Sequence, residues 1–276
     1  MGLKSQWFAT CLVFLVFQIT AVEANDLKNI FKRSQKVKFN PSEDSLCFSN
    51  DGFTPFVGYN PYFQILARVA DKEGACQGMV ATAASFKRNV VFKPYKKAHS
   101  KAKVESIIAR AKELHYNDCD KKIEIHGYHN LRDLCQAHED LFRKTSLDYN
   151  LQIAKNDILT IPSFFAKSML NTKEEVSEHL KETLKSMYND LKEGRYPLML
   201  VRKHVTVVLA MNIEFDEDDN PRRIELTFYD PNDLMSSEED YRFRNYTISR
   251  DGLIEGRLIW NITKRPMLNG AYCWTL

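Results

Sequence analysis

The 276-residue chain has no low-complexity tract and no internal repeat, and past its first two dozen residues it has no apolar run that could cross a bilayer. Without a repeat it is not a stacked array of short units, and without compositional bias it is not a disordered or fibrous chain. Charge of one sign is missing too: 39 Lys and Arg stand against 36 Asp and Glu, for a formal net charge of +3. That surplus is too small and too interleaved to point to nucleic acid or to an anionic membrane. No C-x-x-C pair occurs, which removes the strongest sequence signature of zinc. What is present is the composition of a folded globule, 44% apolar, 27% charged and 12% aromatic, long enough to bury a sizeable core.

The N-terminus is a different material. MGLKSQW carries one Lys and no acid, FATCLVFLVFQITAV is a short apolar run, and Val22-Glu23-Ala24 sets small residues three and one places before a cut at Asn25. This predicts a signal peptide over 1–24. The run is shorter than the roughly 20 apolar residues of a comfortable span, so a retained anchor is the lesser alternative. The mature protein is then secreted or periplasmic, with no membrane association. Residues 25–60, polar and containing Lys/Arg runs, read as an N-terminal arm or pro-region, and 61–276 as the main domain.

Export changes how cysteines are read. Setting Cys11 aside leaves Cys47, Cys76, Cys119, Cys135 and Cys273, an odd number. Either several are buried and reduced, or two disulfides form and one thiol stays free. Residues 115–138 concentrate His115, Cys119, His126, His129, Cys135 and His138. Their spacing is loose for a metal site, so neither metal nor cofactor is expected; a Cys119–Cys135 disulfide or unlinked structural roles are the readings that remain. Leu131, Leu134, Cys135, His138, Leu141 and Phe142 share one helical face directed at the core. His115 ends a predicted helix over 102–116, where an imidazolium would suit the negative end of the dipole. Asn245-Tyr-Thr and Asn261-Ile-Thr are sequons of the kind that also arise by chance.

Cys76 stands out by its neighbours. In DKEGACQGMVATAASFKRN, residues 71–89, Gly74 ends a polar loop and a helix starts at Ala75 or Cys76. Met79, Val80, Ala83 and Ala84 fall on one face, and the small side chains predict a central, closely packed helix. A cysteine in a first helical turn meets unpaired N–H groups and the positive end of the dipole, both of which steady negative charge on sulfur. A small core cysteine on an Ala-rich helix fits the same segment. Further on, Thr172 and Glu175 form a capping box for a helix striped by Val176, Leu180, Leu184, Met187 and Leu191, closed at Gly194. A strand over 197–202 leads to His204, Val205 to Ile213 continue as a strand, a turn lies in 216–221, and Ile224, Leu226 and Phe228 return. Antiparallel pairing brings His204 opposite a residue between 230 and 233. Pro231 ends the ladder and holds Asp230 extended at the rim. The register that puts both apolar runs on one face sets His204 and Asp230 on opposite faces; a hairpin buried on both sides, or a bulge in the acidic turn or near the strand ends, would reconcile them.

GACQGM, KHVTVVLAM and FYDPND, in that order, resemble the papain-like cysteine peptidases, and look closest to bacterial branches with a Cys–His–Asp triad. The resemblance spans roughly residues 60–235 in order of elements and rests on those three short motifs. It implies an α+β fold with a central helix carrying the nucleophile, packed on an antiparallel sheet that carries the histidine and the acid. It also implies Cys76 as nucleophile, His204 as general base and later acid, Asp230 as the group orienting the imidazole, and Asn232 as reserve orienter. Papain has a glutamine six residues before its cysteine that helps hold the oxyanion; here that place is Ala70, next to Asp71, and Gln64 is the nearest upstream amide. The resemblance thus predicts hydrolysis of a protein or peptide amide bond through an acyl-enzyme, without a cofactor. Transglutaminase or deamidase chemistry on the same triad, and a catalytically silent exported binding module, are the competing expectations.

Overall fold

The apolar alternation that dominates the C-terminal half folds, in a computed structural model, as the spine of an antiparallel sheet. The structure describes residues 27–50, 76–146, 172–201, 204–233, 237, 239 and 241–262. The segment over 1–24 read as a signal peptide, and Gln64, Ala70, Asp71 and Cys273, lie outside them. The described elements are β1 (Gln35–Lys36), α1 (Pro41–Asp44), α2 (Cys76–Asn89), β2 (Val90–Lys93), α3 (Lys101–Tyr116), β3 (Ile123–His126), α4 (Leu131–Ala137), α5 (Lys173–Lys192), β4 (Leu198–Val201), β5 (His204–Phe215), β6 (Pro221–Tyr229), β7 (Arg242–Ile248), β8 (Ile254–Glu255) and β9 (Trp260–Asn261).

The main sheet has seven strands in the order β8-β7-β6-β5-β4-β9, with β1 also pairing β5. A separate parallel pair, β2 and β3, lies off it. The fold is α+β, as expected. Val205 to Met211 are buried without a break, so β5 is covered on both faces, and both α2 and α5 pack on it. The β5–β6 turn is held by the Asp216 carboxylate, which accepts from the N–H groups of Asp218 (3.0 Å) and Asn220 (2.8 Å). Helix α5 begins with the expected capping box between Thr172 and Glu175. It buries Leu180, Leu184, Met187 and Leu191, and the chain leaves it through Gly194 at φ +72°.

Helix α2 is central. Every residue in it except Lys87 is buried, as the run of small side chains predicted. Gly78 explains how close its neighbour comes: a Cβ there would lie 2.0 Å from the Ser146 carbonyl oxygen. The far end of α2 is fixed by charge. Arg88 pairs with Asp118 (2.8 Å) and Asp120 (2.7 Å), and Arg195 pairs with Asp118 (2.5 Å) and Asp190 (2.9 Å).

Three expectations change. The stretch read as an arm over 25–60 supplies core: Leu27, Phe31, Val37, Phe39, Leu46 and Phe48 are all buried, and β1 pairs with β5. Its apolar residues are spread among Lys and Arg, which hid them from a compositional reading. Cys135 does not pair with Cys119. It is bonded to Cys47, with the two Cα atoms 5.7 Å apart, while Cys119 is disulfide-bonded to a partner outside the described residues. His115 is not an imidazolium at a helix end. It is 2% exposed, and burial first, then the Arg88 charge, bring its pKa down to about 3; desolvation outweighs the dipole. Elsewhere in the same segment, Tyr128 and His138 share a 2.6 Å hydrogen bond and the His99 and His126 rings stack at 4.3 Å. Among the described residues no group of His, Cys, Asp and Glu is placed to hold a metal ion, and no helix is long and apolar enough to cross a membrane.

Gly78→Ala tests the packing of α2. A Gly-to-Ala change inside a helix ordinarily stabilises by up to about 1 kcal/mol; here urea unfolding should show a loss of about 1–3 kcal/mol, because the methyl group meets backbone that cannot rotate away.

Candidate active site

One extra residue in β5 decides which side chains meet. From Ala210 to Glu214 the strand pairs with Thr227 to Arg223; from Val208 to Val207 it pairs with Phe228 and Tyr229. The step between these registers is a bulge at Leu209. On the other edge of β5, where β1 pairs, the Leu209 carbonyl accepts from the Val37 N–H at 2.9 Å. Continued to the strand end, the second register sets Thr206 opposite Asp230 and His204 opposite Asn232, so all four share one face. Without the bulge, Asp230 would stand opposite Val207 and on the other face from His204. The hairpin is buried on both sides, and the bulge that reconciles the faces lies in the middle of β5 rather than in the acidic turn or at the strand ends.

The result is a direct contact. His204 Nε2 lies 2.7 Å from Asp230 Oδ1. Asp230 is itself held, since its Oδ1 accepts from the Asn232 N–H at 2.9 Å. The Asn232 side chain does not take the orienting role; its Oδ1 accepts from Asn50 Nδ2 at 2.9 Å. The Asn50 N–H donates to the Pro231 carbonyl at 2.7 Å. Three residues before Asn50, Cys47 is bonded to Cys135, so the disulfide anchors the segment that clamps the Asp-Pro-Asn turn.

Helix α2 brings the third group. Cys76 is its first described residue, buried at 8% exposure and not disulfide-bonded. Its side chain hydrogen-bonds the His204 ring. With Nε2 occupied by Asp230, Nδ1 is the nitrogen left for the sulfur. Burial alone would push the imidazole pKa down, but the hydrogen bonds and charges of Asp230 and Cys76 raise it to about 10. Asp230 responds in the opposite sense: burial would raise its carboxyl, and the His204 hydrogen bond and charge hold it below the ordinary value. At neutral pH the ring is therefore an imidazolium between an acid and a sulfur.

These groups open onto a cleft of about 1030 Å³, lined by Cys76, His204, Asp230 and Asn232 together with Tyr241, Arg242, Phe243, Arg244 and Arg257. Such an arrangement supplies a nucleophile, a proton carrier and an orienting acid within hydrogen-bond reach of one another. Cys76, His204 and Asp230 come together as the sequence predicted, and Asn232 acts on Asp230 through its backbone. Gln64 lies outside the described residues. Asn50 and these arginines carried no signal in the sequence, because only the folded chain brings them to the cleft.

Compared with protein-family models, with curated proteins and with solved structures, the chain matches none.

The His204 shift sets a stability profile. A folded value of about 10 against the ordinary 6.5 gives stabilisation that is complete below about pH 6.5 and lost as pH rises through about 10. Urea unfolding across that window should show the wild type's advantage over His204→Gln shrinking steadily with rising pH. An advantage that stayed flat or grew would mean that the ring is not charged in the folded protein.

Proposed function

We propose that the chain is an exported cysteine peptidase of papain-like architecture, hydrolysing protein or peptide amide bonds through a thiol acyl-enzyme. The observation that carries this reading is the buried free thiol of Cys76 against an imidazole already hydrogen-bonded to Asp230. The thiol-bearing helix against an antiparallel sheet that holds the histidine and the acid supports the architecture. The Cys47–Cys135 disulfide supports an oxidising compartment.

The chemistry follows from the electrostatics. Cys76 holds its negative charge against the His204 imidazolium and attacks the substrate carbonyl. The new S–C bond forms as the C–N bond breaks, and His204 passes its proton to the departing amine. Negative charge on Cys76 is one of the causes that raise the His204 pKa. Once the sulfur is a neutral thioester that support is gone, so the imidazolium becomes a stronger acid as the amine needs its proton. The neutral ring then takes a proton from water, whose oxygen bonds to the thioester carbon as the C–S bond breaks; the acid product leaves, and the proton kept on His204 restores the thiolate–imidazolium pair. Asp230 keeps the ring in one orientation throughout.

The test has two parts. Iodoacetamide at mildly acidic pH should alkylate Cys76 selectively in the folded protein, as located by peptide mass spectrometry. On a substrate pool, the wild type should produce new backbone termini, Cys76→Ala should lose about three or more orders of magnitude in rate, and Asp230→Asn should lose less. Crosslinks or one-dalton shifts in place of cuts would reassign the acyl acceptor to an amine or convert the reading to side-chain deamidation. Full activity in Cys76→Ala, or no labelling of Cys76, would remove the thiol mechanism and leave a binding module.

A further inference from the structure

One wall of the cleft is charged with one sign. Strand β7 pairs with β6 so that Arg242 stands opposite Phe228 and Arg244 opposite Leu226, on the sheet face that also carries Asp230. Arg257 reaches the same wall because Gly256 lies against Tyr246: a Cβ there would come within 2.4 Å of the ring. The Tyr246 hydroxyl holds this crossing by donating to the Arg257 carbonyl at 3.2 Å. Arg242 is neutralised by Asp233, with contacts of 2.7 and 2.9 Å. Arg244 and Arg257 both line the cleft, and neither forms an ion pair with a carboxylate among the described residues. Arg244 stands 5.9 Å from the centre of the Phe228 ring, and its Nε is buried without a hydrogen bond. Burial, and then the Arg257 charge, hold its pKa below the ordinary arginine value. The Arg257 charge acts unfavourably on the partly buried Arg244, and an arriving carboxylate relieves that repulsion while taking charge-assisted, bidentate hydrogen bonds.

Resting on the thiol acyl-transfer reading, we infer that the substrate carries a carboxylate that docks on Arg244 and Arg257 while its scissile carbonyl lies at Cys76. The carboxylate belongs to an acidic side chain near the cut or to the end of the substrate chain. Phe228, opposite Arg242 on the face that carries the arginines and among the residues lining the cleft, gives apolar parts of such a peptide a surface beside the charge.

The test uses four synthetic degenerate peptide libraries on the full chain, with Asp/Glu or Asn/Gln near the centre and with a free or an amidated C-terminus. Cleavage is mapped by mass spectrometry, and iodoacetamide labelling of Cys76 is run in parallel. The wild type should cleave carboxylate-bearing peptides roughly tenfold or more faster than their amide twins. Preference between the acidic-centre and free-terminus libraries identifies which carboxylate is read. Arg244→Gln and Arg257→Gln should each bring that ratio toward one, mainly through a raised KM; Arg257 is exposed, so its variant serves if Arg244→Gln does not fold. Equal cleavage of acidic and amide libraries, a ratio unchanged in the folded variants, or no cleavage by untreated protein from a preparation whose Cys76 does label would each overturn the inference and leave the activated thiol standing. Failure of Cys76 to label would overturn both.

Discussion

The site depends on a single residue of slippage. Leu209 is the extra residue that shifts the β5–β6 ladder by one, and a shift of one in a strand exchanges its faces. The apolar pairs from Ala210 to Glu214 and the polar pairs at the other end of the hairpin obey different registers, and each is right for its own end. One register builds the core; the other puts an imidazole and a carboxylate on the same side of the sheet. On the opposite edge of β5 the Leu209 carbonyl takes the Val37 N–H as β1 pairs alongside, which ties the N-terminal segment to the hairpin.

That segment works at two points. Near β1 it pairs with the edge of β5, the strand that carries the base, and at Asn50 it clamps the turn that presents Asp230. The imidazole is held by its own strand and by the acid, and the sulfur by a helix whose close packing needs Gly78. The order of support therefore runs from disulfide to turn, from turn to carboxylate, from carboxylate to ring, and from ring to thiol. Charge runs along the same line: the raised His204 value and the lowered Asp230 value are two faces of one pairing.

Local signals were legible in the sequence, and long-range ones were not. Thr172 and Glu175 announced the start of α5, Gly194 its end, and Asp216 to Asn220 the turn, because capping and turn chemistry act within a few residues. The run of small residues after Cys76 correctly gave a buried helix. His204 and Asp230 could be brought near each other by counting along a hairpin, but the bulge carries no mark: Val207-Val208-Leu209-Ala210 is uniformly apolar, and nothing singles out Leu209. The Cys135 partner could not be read, since spacing does not determine connectivity. His115 was misjudged because a helix dipole is a local argument, while burial beside Arg88 and Arg195 is set by the tertiary fold. Asn50, Arg244 and Arg257 reach the cleft from three separate parts of the chain, and only the sheet order brings them together.

Cys47 with Cys135, and Cys76, place opposite redox demands on one folded unit. The first pair must give up electrons for the Asp-Pro-Asn turn to be braced, whereas a thiol that acts as nucleophile must keep its own. Burial of Cys76 lets both conditions hold together: among the described residues it is the one cysteine outside a disulfide, so an oxidant that completes the brace reaches the nucleophile only through the packing around it. Maturation and poisoning of such a centre are then separated by geometry, in surroundings where chemical potential alone would not distinguish them.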